Sequence, residues 1–364
     1  MATSLLDRIR QWFRPSPQVE TEGNAPPVGP GRGRVDHVVI LDGTMSSLQP
    51  GHETNAGLAF HLIGQPVPGV RRRLYYEPGL QWEGWRNLAS VAQGRGINRQ
   101  IRRAYGWLAS QYRPGDRIFL LGYSRGAFAV RSLAGVIDRV GLLRHDLATE
   151  RNVQLAYRHY MQGPDSPAAR VFAQNTCHSA APIEMVGVWD TVKALGLRLP
   201  FLWMLTDRQH AFHNHHLGAS VRHGFHALAL HETRAVFAPV LWDCPADWQG
   251  NVEQVWFAGA HADVGGQVGA LAAARPLANI PLVWMLDRAE ACGLLLPTGW
   301  RERFPCDPKA PMVGTWRAWG KLFLLRQRRV VGRDRSEKLH PSVAERRGAG
   351  ARPGGLLRGV KAMR

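Results

Sequence analysis

Residues 116–131 read Asp-Arg-Ile-Phe-Leu-Leu-Gly-Tyr-Ser-Arg-Gly-Ala-Phe-Ala-Val-Arg, which is a charged turn, an apolar run, a Gly-x-Ser-x-Gly motif and a helix-compatible segment. The apolar run predicts a buried strand. Gly122 and Gly126 leave room for the strand and helix on either side of a strained serine. The helix points its N-terminus at that serine, where backbone N–H groups favour a developing oxyanion. This context predicts a nucleophile elbow with Ser124 at its tip, rather than an ordinary glycine turn.

The composition describes a folded protein with a large basic surplus. The chain has 364 residues, of which 45% are hydrophobic and 20% are charged, which excludes wholesale disorder. The net charge of +18 favours anionic partners such as acidic membranes or nucleic acid, although an arginine-rich chain with solvated charge fits the same number. The 13 tryptophans favour a membrane interface, so nucleic acid is the less favoured partner.

The cysteines and the hydropathy pattern predict a cytoplasmic protein without a metal or cofactor. The four cysteines form no Cys-x-x-Cys pair, which argues against a zinc site and a disulfide framework. The N-terminus lacks a secretory signal, and no segment reaches the roughly 18 apolar residues of a membrane span. Peripheral contact with a membrane, or export without a signal peptide, remains compatible with this pattern.

The chain divides into three parts. Residues 4–13 are predicted to form a short basic amphipathic helix that suits an anionic membrane, a partner's groove or the protein's own body. The Pro- and Gly-rich stretch that follows, 14–34, predicts a linker. Residues 35–345 form the folded domain, and 346–364 are predicted to be a basic disordered tail.

Within the folded domain, apolar runs typical of buried strands alternate with segments of helical period. Residues 145–180 predict a helical insertion, and 226–235 predict a further helix. This alternation indicates an α/β fold, a mainly parallel sheet with helices on both faces. The predicted strands are 38–41, 73–76, 118–121, 183–189 and 252–257, and the predicted helices are 55–63, 97–112, 125–140 and 277–292.

A serine, an aspartate and a histidine each follow one of these strands. Catalytic groups gather at the carboxyl ends of parallel strands, and a serine nucleophile needs a base and a group that orients the base. Ser124, Asp190 and His261 fit the chain order of nucleophile, acid and base. Asp190 also fits a structural cap of its turn, and His226 and His231 are the reserve candidates for the base.

The loop after the first predicted strand supplies the other candidate groups. An oxyanion hole would use the backbone N–H of Arg125 together with that of Gly43 or Thr44, although Asp-Gly also favours a plain tight turn. Asp42 is expected to support this loop. Asp263 could support His261, bind an ion or cap a helix, and we assign it to support.

Several motifs occur together in the order of one known family. They include Gly122-Tyr-Ser-Arg-Gly-Ala127, Gly187-Val-Trp-Asp-Thr191, Trp256-Phe-x-Gly-x-His261 and His340-Pro-Ser-Val343. Over residues 35–345 the chain resembles the DUF2235 family, an α/β-hydrolase domain that also forms the catalytic part of Tle1-type phospholipase effectors of type VI secretion.

The resemblance implies an α/β-hydrolase-like fold and a serine esterase that cleaves carboxylic esters, with phospholipase or lipase activity on membrane lipids. It implies a nucleophile at Ser124, an acid at Asp190 and a base at His261. Three departures from the family pattern bear on substrate preference. They are His231 in place of an acidic residue, Gln267 in place of a glycine, and Met45-Ser-Ser47 in place of the usual aromatic residue and Asn after the Asp-Gly-Thr loop. An immunity or secretion partner fits the resemblance, and the sequence shows none.

Two other functions fit part of the sequence. A metal-dependent phosphatase would use the Asp42-Gly-Thr44 loop with Mg²⁺ at Asp190 and Asp263, but Ile40 stands where such a loop has a second aspartate. A non-catalytic protein could use the hydrolase scaffold only to bind membrane or nucleic acid.

Overall fold

The computed structural model describes six stretches of the chain, namely 19–22, 33–79, 95–192, 217–244, 250–316 and 325–348. The predicted amphipathic helix at 4–13 and all but three residues of the predicted tail at 346–364 lie outside them. Within the described stretches, no helix combines the length and the apolar composition needed to cross a bilayer.

A single sheet of eight strands forms the centre of the described structure. The strands are β1 (Val19–Glu22), β2 (Asp36–Leu41), β3 (Arg72–Glu77), β4 (Arg117–Tyr123), β5 (Ile183–Trp189), β6 (Val221–Ala229), β7 (Asn251–Phe257) and β8 (Glu337–Leu339). Their order across the sheet is β1-β3-β2-β4-β5-β6-β7-β8. All seven strands other than β1 run parallel to one another. β1 is antiparallel and lies at the edge of the sheet beside β3.

The helices cover both faces of this sheet, which confirms the predicted α/β class. They are α1 (Asn55–Ile63), α2 (Arg95–Gln111), α3 (Arg125–Arg139), α4 (Glu150–Gln162), α5 (Pro167–Thr176), α6 (His261–Gly265), α7 (Arg275–Ala291) and α8 (Ser342–Arg347). Residues of α1 and α7 belong to one core, and residues of α2, α3 and α4 belong to the other. The predicted helical insertion at 145–180 contains α4 and α5.

Alternate residues of the central strands pack into these two cores. In β2, Val38 and Ile40 belong to the core beside α1, whereas Val39 and Leu41 belong to the core beside α3. A strand buried on both faces needs an uninterrupted apolar sequence, because successive side chains point to opposite faces. This requirement explains why the apolar runs identified these strands in the sequence.

Three strands differ from the expectations. The segment predicted as a helix at 226–235 instead begins with the last four residues of β6. In this strand His226 is fully buried and accepts a hydrogen bond from the backbone of Thr191. Its histidines and glycine hid the strand pattern in the sequence. β8 was not predicted, since only three residues pair with β7. β1 lies within the predicted linker, where its backbone pairs with the edge of β3.

The strand order brings two loops together at one point of the sheet. The chain goes from β2 to β3 on one side and then to β4 on the other side of β2. A reversal of this kind opens a crevice beyond the carboxyl ends of the strands, where ligands bind in open α/β sheets. The loop after β2 starts at Asp42, and β4 ends directly before Ser124.

The central strand β4 should dominate stability, and Leu120 is fully buried there. Leu120→Ala should lower the free energy of unfolding by about 3 kcal/mol, because it removes buried methyl groups and leaves a cavity. Urea denaturation would measure this change. Val171→Ala on α5 is the control, because Val171 is 55% exposed and surface truncations cost about 0.5 kcal/mol or less. Equal losses in both variants would contradict this expectation.

Candidate active site

Ser124 lies at the tip of a sharp turn between β4 and α3. Its backbone has φ 58° and ψ −118°, a left-handed conformation that side chains other than glycine seldom adopt. The turn is tight on both sides. A Cβ at Gly126 would lie 2.0 Å from the carbonyl oxygen of Leu41, and a Cβ at Gly122 would lie 2.8 Å from Cα of Ala127. Both glycines are therefore required by close packing, as the motif predicts.

A continuous chain of hydrogen bonds connects Ser124 to two other side chains. Ser124 Oγ lies 2.8 Å from Nε2 of His261, and Nδ1 of His261 lies 2.6 Å from Oδ2 of Asp190. All three residues are buried. His261 begins α6 directly after the turn that follows β7, and Asp190 directly follows β5. The three residues that the sequence assigned to nucleophile, acid and base thus meet at the carboxyl edge of the sheet.

The guanidinium of Arg329 forms an ion pair with the Asp190 carboxylate. Its Nη1 donates to Oδ1 over 2.5 Å and its Nη2 to Oδ2 over 2.9 Å, and the N–H of Ala229 also donates to Oδ1. Burial opposes ionisation of Asp190, but the guanidinium and the hydrogen bond from His261 outweigh it and hold the pKa of this carboxyl well below its usual range. Asp190 is therefore a carboxylate at neutral pH.

The imidazole of His261 lies between two aromatic rings. The ring centroid of Phe237 is 4.8 Å away and that of Tyr123 is 4.9 Å away. The backbone N–H of His261 donates to the buried carboxylate of Glu232, which is paired with Arg234. These contacts fix the ring plane and the main chain, so that Nε2 faces Ser124.

The loop after β2 packs directly against the elbow. A Cβ at Gly43 would lie 2.7 Å from the Tyr123 ring and 3.3 Å from Cβ of Ser124. The N–H of Gly43 donates to Oδ1 of Asp42 over 2.6 Å, which favours Thr44 over Gly43 as the second oxyanion donor. The first donor candidate is the N–H of Arg125, the first residue of α3. An N–H at this position has no acceptor within its own helix and is therefore available to a ligand.

Other predicted residues have structural contacts. Asp263 accepts hydrogen bonds from the backbone N–H groups of Ala260, Val313 and Gly314, so it ties the turn before His261 to a later segment. His226 accepts from Thr191, and His231 accepts from Gly259. Neither histidine bonds to Ser124 in the described structure, whereas His261 does.

The carboxylates proposed for a magnesium site have other partners. Asp190 is bonded to Arg329, and Asp263 accepts from three backbone N–H groups. Asp42, the aspartate of the proposed phosphatase loop, accepts from Thr54, Tyr76 and Gly43. Among the residues that the structure describes, no group of three or more His, Cys, Asp or Glu side chains is arranged to hold a metal ion.

A family model confirms the resemblance that the motifs indicated. The model for the catalytic domain of Tle1-like phospholipase effectors of the type VI secretion system matches residues 36–288. The chain belongs to this family. The match includes Ser124, Asp190 and His261, and it ends before Arg329.

Individual relatives are more distant. The uncharacterized protein YEL023C of Saccharomyces cerevisiae is 28% identical over 226 residues, which are 55% of this chain and 31% of the yeast protein. The chain thus spans about a third of the length of this curated relative.

Two solved structures are similar in part. An uncharacterized protein from Pseudomonas aeruginosa has a TM-score of 0.42 and 18% identity, with 76% of this chain and 49% of that chain covered. The Tle1 effector bound to the VgrG spike of the type 6 secretion system has a TM-score of 0.45 and 14% identity, with 80% and 82% covered.

Roles for Arg329, Glu232 and Phe237 were not predicted from the sequence. Glu232 had a weak signal, since it is an acidic residue directly after His231, which itself stands where the family has an acidic residue. Arg329 had none, because it lies in a run of three arginines at 326, 328 and 329 that reads as solvated charge. Only its contact with Asp190, which lies 139 positions earlier in the sequence, distinguishes it from the other two arginines.

The buried carboxyl of Asp42 should make stability depend on pH. Burial raises its pKa from 3.8 to about 6, although hydrogen bonds from Thr54 and Tyr76 favour the ionised form. Because the folded-state pKa lies above the unfolded value, this group stabilises the fold below about pH 4, and the contribution is lost as the pH rises through about 6.

Between pH 4 and 7, the free energy of unfolding of the wild type should fall by up to about 3 kcal/mol relative to that of Asp42→Asn. Urea denaturation of both proteins at several pH values would measure this difference. A difference that stays constant over the range would contradict the expectation.

Proposed function

We propose that this protein is a serine hydrolase that cleaves carboxylic esters, most specifically a phospholipase that acts at membrane lipids. The observation that carries the proposal is the hydrogen-bonded chain from Ser124 through His261 to Asp190, at the carboxyl edge of a parallel sheet. Membership of a family named for phospholipase effectors supports the choice of substrate class.

The proposed reaction uses each side chain in one role. Ser124 Oγ attacks the ester carbonyl while Nε2 of His261 accepts its proton. The resulting imidazolium is stabilised by Asp190, which also keeps the proton of the neutral ring on Nδ1. His261 then gives the proton to the leaving alcohol, so an acyl-serine forms. Water attacks this ester with the same base, and the fatty acid and free serine are released.

Charge on the carbonyl oxygen is stabilised by backbone donors in this mechanism. The N–H of Arg125 lies at the N-terminus of α3, where the helix dipole adds to the hydrogen bond. The N–H of Thr44 is the second donor that we propose. Both belong to turns held by close packing around Gly126 and Gly43, so the donors need no rearrangement when the oxyanion forms.

Exposed apolar side chains on segments that border the site favour a lipid surface. Met45 directly follows Thr44, and Trp316 and Leu325 are 62% and 73% exposed. The carbonyl of Leu325 accepts from Ala235, two residues before the Phe237 that packs on His261. Apolar side chains and the overall charge of +18 together suit a bilayer with anionic head groups.

Replacing the nucleophile tests the proposed function directly. We expect the wild type to release fatty acid from phosphatidylglycerol/phosphatidylethanolamine vesicles, with no effect of EDTA. Ser124→Ala should lower the rate by about 10⁴-fold or more, because the serine forms the covalent intermediate. Ser110→Ala is the matched control, since Ser110 is an exposed serine on α2.

Other outcomes would favour the alternatives. Equal fatty acid release by wild type and Ser124→Ala would exclude Ser124 as the nucleophile. Phosphate release that EDTA abolishes would favour a metal-dependent phosphatase. Vesicle binding that survives Ser124→Ala, with no turnover of any ester, would favour a non-catalytic binding protein.

The lipid-facing role of Leu325 can be tested separately from the chemistry. Leu325→Glu should lower vesicle hydrolysis by about tenfold, because a charged side chain is costly to place in the apolar interface. Hydrolysis of the soluble ester p-nitrophenyl butyrate should stay within about twofold of wild type. Leu339→Glu, at an exposed leucine of β8, is the control. A parallel loss on both substrates would argue against this role.

A further inference from the structure

Arg329 is a buried cation whose hydrogen-bond partners all belong to the candidate site. Its side chain is 4% exposed. Besides both oxygens of Asp190, its Nη1 donates to the carbonyl of Ala229 over 2.8 Å and its Nη2 to the carbonyl of Phe237 over 2.5 Å. The guanidinium therefore joins the turn after β5, the end of β6 and the segment that carries Phe237.

These contacts leave the Asp190 carboxylate no freedom to rotate. A carboxylate has about four lone-pair positions. Oδ1 accepts from Ala229 and Arg329, and Oδ2 accepts from His261 and Arg329. Two parallel bonds from one planar guanidinium also define the plane of the carboxylate. The direction in which Oδ2 meets Nδ1 of His261 is thus set by Arg329.

The same guanidinium acts on His261 by a second route. It holds the carbonyl of Phe237, whose ring lies 4.8 Å from the imidazole. Asp190 contacts the edge of the imidazole at Nδ1, and Phe237 contacts its face. Arg329 is hydrogen-bonded to both of these supports.

Arg329 reaches this position on a segment that docks by its backbone. Ala235 donates to the carbonyl of Leu325, and Gln327 donates to the carbonyl of Thr233. The segment 325–331 lies beyond the residues 36–288 that the family model matches. Its basic composition is typical of a solvent-exposed segment. One of its three arginines, Arg329, is nevertheless buried against the Asp190 carboxylate.

We propose that Arg329 is a positioning residue for the Asp190–His261 pair, and that this one side chain completes the active site from beyond the residues that the family model matches. The proposal rests on the proposed function, because it assigns Arg329 to the same reaction. An ion pair with a purely structural role would affect only the stability of the fold. A positioning role predicts that loss of Arg329 also changes the chemical step.

Three variants separate these roles. Arg329→Met keeps the length of the side chain and removes its charge, and Arg329→Lys keeps a charge but cannot bond to both oxygens and both carbonyls. Arg326→Met is the matched control, because Arg326 lies on the same segment and contacts Thr233, Thr315 and Trp316. Thermal unfolding establishes which variants are folded, and Arg329→Lys keeps the test valid if Arg329→Met is not.

We expect the effect on p-nitrophenyl butyrate hydrolysis to appear in kcat. Arg329→Met should lower kcat by about 100-fold or more with KM within about threefold, since geometry in the chemical step is lost. Arg329→Lys should lower kcat by about tenfold, and Arg326→Met should stay within about threefold of wild type.

The pH profile gives a readout that a purely structural role would leave unchanged. The ionisable side chains that bear on Asp190 are Arg329, His261, His226 and Tyr123. Removing the cation makes protonation of the Asp190 carboxyl easier, because Arg329 favours its ionised form. The acid limb of the kcat/KM profile should therefore move to higher pH in Arg329→Met and stay in place in Arg329→Lys.

A spectroscopic signal tests the proposal without turnover. The short bond between Nδ1 of His261 and Asp190 should give a strongly downfield proton resonance, which Arg329→Met should shift or lose and Arg326→Met should keep. An unchanged resonance in folded Arg329→Met would overturn the proposal. So would an unchanged kcat, or an equal loss in Arg326→Met. A wild type that shows the resonance but hydrolyses no ester would instead overturn the proposed function alone.

Discussion

The candidate site depends on keeping a single carboxylate charged inside the protein. Asp190 is fully buried, and an isolated charge in such a place would take up a proton rather than stay ionised. A guanidinium, a backbone N–H and an imidazole surround it instead. Breaking a buried pair of this kind by removing one partner leaves the other charge uncompensated, so Asp190 and Arg329 are constrained together.

The parallel sheet brings these groups within reach of one another. β4 and β5 are neighbours in the sheet, so Ser124 and Asp190, which directly follow them, lie side by side. β6 continues the sheet and supplies the Ala229 N–H, and β7 leads into the turn before His261. Residues that are far apart in the chain meet because strands of similar length end at the same edge.

The sequence contained enough information to predict the sheet class and the three residues of the hydrogen-bonded chain. Apolar runs reveal strands that are buried on both faces, and a polar residue directly after such a run has a defined position. Arg329 could not be predicted, because its burial depends on a tertiary contact and its neighbours in sequence have the same composition. β6 was hidden for a similar reason, since the buried His226 in it is stabilised by a partner on another segment.

Backbone strain is concentrated at this edge of the sheet. Among the described residues, three that are not glycine have a positive φ, namely Met45, Ser124 and Asp190. Each such residue costs about 1–3 kcal/mol and persists only where its surroundings enforce it. Ser124 donates its N–H to the carbonyl of Trp189, and Asp190 donates its own to that of Ala227, so the sheet ladder continues one residue past each strand. The hydrogen bonding that stabilises the fold therefore also imposes the strained geometry that turns both side chains toward His261.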